Sequence, residues 1–135
     1  LTPDYNPVEA GLLFACKLGT EVGFLGREAV EKARAAGPRR RLVSLVLRSP
    51  DVMMWGGELI LRDDVPVGQV TSAAWGETVG GAVGLGYIRD PAGTPVTAAF
   101  ARTGSYQVNV AGELVLATAG LRAPYDPAGS RVRGA

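Results

Sequence analysis

A mainly β fold, a closed or nearly closed antiparallel barrel behind a short α/β connector with one helix, is what these 135 residues predict. Three observations predict it. The 19 Gly and 9 Pro are spread along the chain and not pooled in a linker, which favours many turns and short strands over a helical bundle. A helical apolar period appears only before Pro38. After Pro38, apolar runs bounded by turn residues recur as roughly six or seven short strands between 42 and 122.

The connector opens on Asn6-Pro7-Val8-Glu9. Asn suits a helix cap, Pro the first helical position, and a Glu three residues after the cap can return a hydrogen bond. Gly11 follows at once, so one helical turn is expected, then a buried extended run over 12–18. A clearer helix follows over 27–36. Ala29, Val30, Ala33 and Ala36 share one face, and Glu28 and Lys32 are spaced for an ion pair. Gly37-Pro38 ends it.

Strand patterns follow over 42–47 and 58–62. Asp63-Asp64 is a turn, and Pro66 belongs at the start or edge of the next strand, which reaches Ala73. Gly80-Gly81 punctuates before a strand over 82–88, and Asp90-Pro91-Ala92-Gly93 is a loop. A strand is expected over 96–100. A hairpin over 106–110 and 113–118 turns at Ala111-Gly112. The tail from Pro124 is polar.

The chemistry is defined largely by exclusion. There is no His, which removes the commonest neutral-pH base, the serine and cysteine triads and most zinc sites. With 14 Lys and Arg against 13 Asp and Glu, the net charge of +1 supplies no general pull toward nucleic acid or membrane. No apolar stretch is long enough to span a bilayer. Cys16 is the single cysteine, so no internal disulfide forms; its apolar surroundings mark it as a small buried hydrophobe in a reducing, cytoplasmic interior. The glycine-rich 80–86 run lacks phosphate-loop spacing and lysine. Arg39-Arg40-Arg41 reads as a solvated junction or a contact with a partner domain's carboxylates. Trp55 and Trp75, each beside Gly and Glu, read as core or domain-interface packing, with ligand stacking the alternative. Glu9 reads as a capping residue or as a carboxylate facing a ligand cavity. No catalytic or metal-binding set emerges. The first residue is Leu and no signal peptide precedes the fold, so a portion of a longer protein is expected.

Several stretches resemble one family. Asn6-Pro7-Val8-Glu9-Ala10-Gly11-Leu12, then Phe24-Leu25-Gly26-Arg27-Glu28-Ala29, look like the end of the folate-binding module of the aminomethyltransferase (glycine cleavage T-protein) family. Arg40-Arg41-Leu42-Val43, Gly56-Gly57-Glu58, Val67-Gly68-Gln69-Val70-Thr71-Ser72 and Val83-Gly84-Leu85-Gly86-Tyr87-Ile88 resemble its C-terminal barrel. Pro124-Tyr125-Asp126-Pro127 resembles its closing tail. Leu1-Thr2-Pro3-Asp4-Tyr5, Phe14-Ala15-Cys16-Lys17-Leu18, Trp55-Gly56-Gly57-Glu58 and Thr71-Ser72-Ala73-Ala74-Trp75-Gly76 are more like the sarcosine and dimethylglycine dehydrogenase branch.

The resemblance implies a Greek-key-like barrel over 39–135 behind the C-terminal end of a folate-binding module over 1–38. It implies tetrahydrofolate shared with an upstream module, and FAD in an upstream flavin domain that oxidises an N-methyl amine. The family's key aspartate lies upstream of Leu1, so this fragment alone is expected to be inactive. Its tail reaches toward the folate cavity, which makes Tyr125 and Arg131 the folate-binding candidates. A stand-alone aminomethyltransferase and a non-catalytic regulatory subunit of the same architecture are the alternatives. Asp63-Asp64 departs from the family's Asn/Asp-Gly turn and leaves the turn type open.

Overall fold

The computed structural model describes residues 4–134; Leu1, Thr2 and Pro3, which carry part of the resemblance, lie outside the described residues. After a 3-10 turn at Leu13–Ala15, the elements are helix α1 (Arg27–Ala36), β1 (Arg40–Leu47), β2 (Leu59–Arg62), β3 (Val65–Gly76), β4 (Gly81–Arg89), α2 (Ala98–Arg102), β5 (Tyr106–Val110), β6 (Glu113–Gly120) and α3 (Ser130–Arg133). The six strands close into an antiparallel barrel in the order β1-β4-β3-β2-β5-β6. The hairpin-linked β2, β3 and β4 with β1 returning beside β4 form a Greek key. Every strand has a neighbour on each side, although β1 meets β6 only over Ser44–Leu47, and the Leu42 N–H beyond that stretch bonds the Glu9 carbonyl instead.

Alternation places Val43, Leu45, Ile60, Val70, Ile88 and Val108 inside, each fully buried, with Met54 buried among them. β3 and β4 approach too closely for side chains at two points. A Cβ on Gly68 would overlap the carbonyl oxygen of Tyr87, and one on Gly86 would lie 2.6 Å from Ile60 Cδ1 and 2.7 Å from Gln69 O. Register shifts between Val70 and Ser72, and between Ile60 and Leu61, are bulges that bend the strands around the closure. Asp63 and Asp64 both take positive φ, 50° and 64°, as does the Ala111-Gly112 pair. Both hairpins therefore turn in the left-handed sense that matches strand twist.

The structure corrects several expectations. Residues 96–100 are not a strand: α2 begins at Ala98, where the Thr97 side chain accepts from the Phe100 N–H at 3.0 Å. The Thr97 cap and the following alanines outweigh the β-branched pair Val96-Thr97. The connector contains no strand among its described residues. Its 12–18 run is a 3-10 turn followed by loop, with Phe14 86% exposed and Cys16 only half-buried. Gly11 at φ 71° and the bonds from the Ala15 and Cys16 N–H groups to the Leu12 and Leu13 carbonyls curl that run into a turn. Helix α1 has the expected bounds but buries no residue, and its ion pair joins Arg27 to Glu31 at 2.9 Å, not Glu28 to Lys32. Arg27 also donates to the carbonyls of Leu18, Thr20 and Val22, which draws it to the helix N-terminus.

Candidate functional site

Three features on the outside of the barrel gather chemistry. The first is the seam between connector and barrel. Asn6 caps the opening turn, its Oδ1 accepting from the N–H groups of Val8 and Glu9 at 3.0 Å each. Glu9 does not close a capping box; it is 5% exposed and its carboxylate lies 3.6 Å from Arg40 Nε. The Arg40 guanidinium also stacks over Tyr5, 4.4 Å from the ring centroid, and donates to the Asp4 carbonyl at 2.9 Å. Tyr5 in turn stacks on Tyr87 at 3.9 Å and 11°. Two cavities, of about 380 and 560 Å³, share this aromatic pair as a wall. Gln69 and Arg89 line the first, and Leu12, Leu42 and Leu85 the second.

Tyr87 is 8% exposed, and its hydroxyl is buried with no hydrogen-bond partner. Burial first, then the neighbouring Tyr5 and Glu9, push its pKa up, against the opposing charge of Arg40. The phenol is therefore a neutral donor at physiological pH. The arginine run is thus not simply solvated. Arg40 serves the seam, while Arg41 donates to the Val96 carbonyl at 2.9 Å.

The second feature is the tail, which holds both folate-binding candidates. Asp126, at φ 45°, accepts from the Ser130 N–H and hydroxyl at 2.9 and 3.0 Å and from the Arg131 N–H at 3.1 Å. That turn folds α3 back and sets the Arg131 guanidinium 5.4 Å from the Tyr125 ring centroid. Tyr125 is half-exposed and borders a cleft of about 280 Å³ with Glu77, Thr78 and Val79 of the β3–β4 turn. The structure brings the two candidates together.

The third feature is a pair of outward indoles. Trp55 is 80% exposed and Trp75 42% exposed, so neither packs in the core, in contrast to that part of the sequence expectation. Gly56 and Gly57 take positive φ, and the Glu58 carboxylate accepts from the N–H groups of Trp55 at 2.5 Å and Gly56 at 2.8 Å. Burial pushes the Glu58 carboxyl up, but the N–H groups of Trp55, Glu58 and Gly56 outweigh it and hold its pKa below the ordinary 4.5. A carboxylate easier to ionise when folded stabilises the fold fully above the unfolded pKa. That stabilisation is lost as pH falls through the lower folded value. The melting-temperature gap between the wild type and Glu58→Gln should therefore narrow from pH 7 to pH 3. A gap that is constant or widens on acidification would contradict the assignment.

Among the described residues, no group of His, Cys, Asp and Glu could hold a metal, and no helix is long and apolar enough to cross a membrane. The sequence reading gave no role to Tyr5 or Tyr87. No local pattern marks them, because strand register and the connector's path alone bring them together.

A family model described as the glycine cleavage T-protein C-terminal barrel domain matches residues 40–126. The chain is 48% identical to mitochondrial sarcosine dehydrogenase of Mus musculus over 99% of its own length, and spans 14% of that protein. It is 43% identical to a probable aminomethyltransferase of Natronomonas pharaonis, with 62% of the chain and 22% of that protein aligned. The glycine cleavage system aminomethyltransferase T of Bartonella henselae shares the fold at TM-score 0.69 and 21% identity, over 87% of this chain and 31% of that one.

Proposed function

The chain belongs to the glycine cleavage T-protein C-terminal barrel family, and from that premise we propose that it is the C-terminal portion of a flavin-dependent N-methyl amine dehydrogenase, of the sarcosine or dimethylglycine type, that passes a one-carbon unit to tetrahydrofolate. One observation carries this reading. The likeness to mouse sarcosine dehydrogenase runs through the connector as well as the barrel, whereas the Natronomonas aminomethyltransferase aligns with under two thirds of the chain. Residues 1–38 are then the end of a folate-binding module, and residues 39–135 are the barrel domain and tail. Their partners are the upstream folate-binding and flavin domains of the same polypeptide. A cytoplasmic location rests on the unpaired Cys16 alone, and the mouse relative is named as mitochondrial.

The residues present fit part of a folate site. Tyr125 offers a half-exposed flat face and Arg131 a cation beside it, a pairing suited to a flat anion. Tetrahydrofolate, when bound, supplies the nucleophilic nitrogens that accept the one-carbon unit. In this chain Tyr125 and Arg131 orient it, and the barrel walls the cavity against water. FAD belongs to the flavin domain.

The test is the visible spectrum of the full-length polypeptide. A flavin band that bleaches with sarcosine or dimethylglycine is expected. Tyr125→Ala and Arg131→Ala should each raise KM for tetrahydrofolate about fivefold. A bound flavin that neither amine bleaches would overturn the substrate assignment. A colourless protein would favour the second reading, a stand-alone aminomethyltransferase, which the Natronomonas match supports.

A further inference from the structure

Among the connector's described residues, the buried ones are Val8, Glu9 and Ala10 at one end and Pro38 at the other; residues 11–37 include none. The Pro38 end is fixed by a backbone bond from the Val96 N–H to the Pro38 carbonyl, 2.8 Å. The other end is fixed by the Leu42 N–H bonding the Glu9 carbonyl at 2.9 Å, by the stack of Tyr5 on Tyr87, and by the Arg40 side chain. Arg40, the first residue of β1, reaches three separate points of the connector: the Asp4 carbonyl, the Tyr5 ring and the Glu9 carboxylate. Tyr5 passes the contact on to Tyr87 of β4. A guanidinium makes all three at once because it is planar, stacks on an aromatic face and keeps in-plane N–H groups for bonding; an ammonium cannot. The barrel core does not need Arg40, whose side chain is 41% exposed and lies outside the closed sheet.

We infer that Arg40 is a positioning residue, which sets the angle at which the connector, and with it the folate-binding module, sits on the barrel. This rests on the reading above. It does not follow from the tail residues Tyr125 and Arg131, which lie at a different cleft. Misplacing a wall of a binding cavity by a fraction of an ångström weakens ligand binding without touching chemistry performed in another domain.

The full-length polypeptide carrying Arg40→Ala or Arg40→Lys tests this, with three readouts: flavin bleaching by the amine, KM for tetrahydrofolate, and the melting temperature. Arg40→Ala should raise KM for tetrahydrofolate about tenfold and leave the bleaching rate unchanged. Arg40→Lys keeps a charge beside Glu9 but loses the stack, and should raise KM about threefold. Tyr87→Phe keeps the ring stack and removes the orphaned hydroxyl, which separates a role of the phenol from one of the guanidinium. A lower melting temperature with wild-type KM in Arg40→Ala would make the residue merely structural and overturn the inference. If Arg40→Ala does not accumulate folded, a wild-type KM in Arg40→Lys overturns it instead. A tenfold rise in Tyr87→Phe would move the role to the phenol and overturn it too. Failure of the underlying reading is recognised separately, because the wild type would then show no amine-dependent bleaching or no saturation with tetrahydrofolate; the inference falls with it.

Discussion

Gly68→Ala is expected to destabilise the folded barrel severely. Gly68 sits on β3 opposite Ile60 of β2 and Ile88 of β4. An added methyl would overlap the Tyr87 carbonyl oxygen and lie 2.9 Å from the Tyr87 carbonyl carbon and 3.1 Å from Ile88 Cα. All three are backbone atoms, so no rotamer change relieves the clash, and β4 as a whole must shift. That strand is held on its other side by β1 over seven register pairs, from Arg40–Arg89 to Val46–Val83. A shift therefore breaks ladder bonds on both flanks. The cost should be about 4 kcal/mol or more, in the tail of single-substitution effects. Against a domain stability of about 5–15 kcal/mol, that removes a quarter of the margin at the upper end and most of it at the lower. Urea denaturation followed by circular dichroism is the measurement. Gly23→Ala is the control, since nothing lies within 4 Å of its added methyl, and it should stay within about 0.5 kcal/mol of wild type. A Gly68→Ala transition within 1 kcal/mol of wild type, roughly the ordinary cost of a substitution, would mean the strands are not apposed as described.

The same close approach explains what the sequence could and could not disclose. The period-2 runs and the turns at Asp63-Asp64 and Ala111-Gly112 are local signals, and each strand after Pro38 emerged near its predicted place except the run over 96–100. There the local cap at Thr97 competed with β-branched residues, and the cap prevailed. β3 outran its expected end at Ala73 to reach Gly76, because the bulge at Thr71 absorbs a residue and lets pairing with β4 continue to Gly81. The connector was harder to read. Its apolar run over 12–18 has a strand-like composition but curls into a 3-10 turn at Leu13–Ala15.

The candidate sites divide in the same way. Tyr125 and Arg131 could be nominated from the order of motifs; the turn that pairs them is local, Asp126 accepting from residues four and five ahead of it, but no apolar period marks it. The arginine run is legible in the sequence as a charge run. That Arg40 and not its neighbours holds the seam depends on contacts with residues far away in sequence. A residue whose partners are set by register leaves no spacing to read.

Ile60→Ala tests the barrel from inside. Ile60 is fully buried at the centre of β2, the four-residue strand between β3 and β5. Its Cδ1 fills the space above Gly86, a position where β4 has no side chain. Truncation removes three carbons from a site lined on that side by backbone, which cannot collapse inward. The cost should therefore be about 3–4 kcal/mol, with Ile60→Val near 1 kcal/mol. Adding Gly86→Ala to Ile60→Ala supplies a methyl toward the cavity and invites the expectation of rescue. None should occur, because that methyl still meets the Gln69 carbonyl oxygen at 2.7 Å, a contact independent of Ile60. The double variant should be less stable than Ile60→Ala alone, and the coupling read from a double-mutant cycle should stay small beside the backbone term. If Ile60→Ala costs no more than Ile60→Val, the site collapses freely and the glycine-lined wall is not rigid. If the double variant recovers stability, the Gln69 contact yields, and the spacing between β3 and β4 is set by Ile60 and not by their backbones.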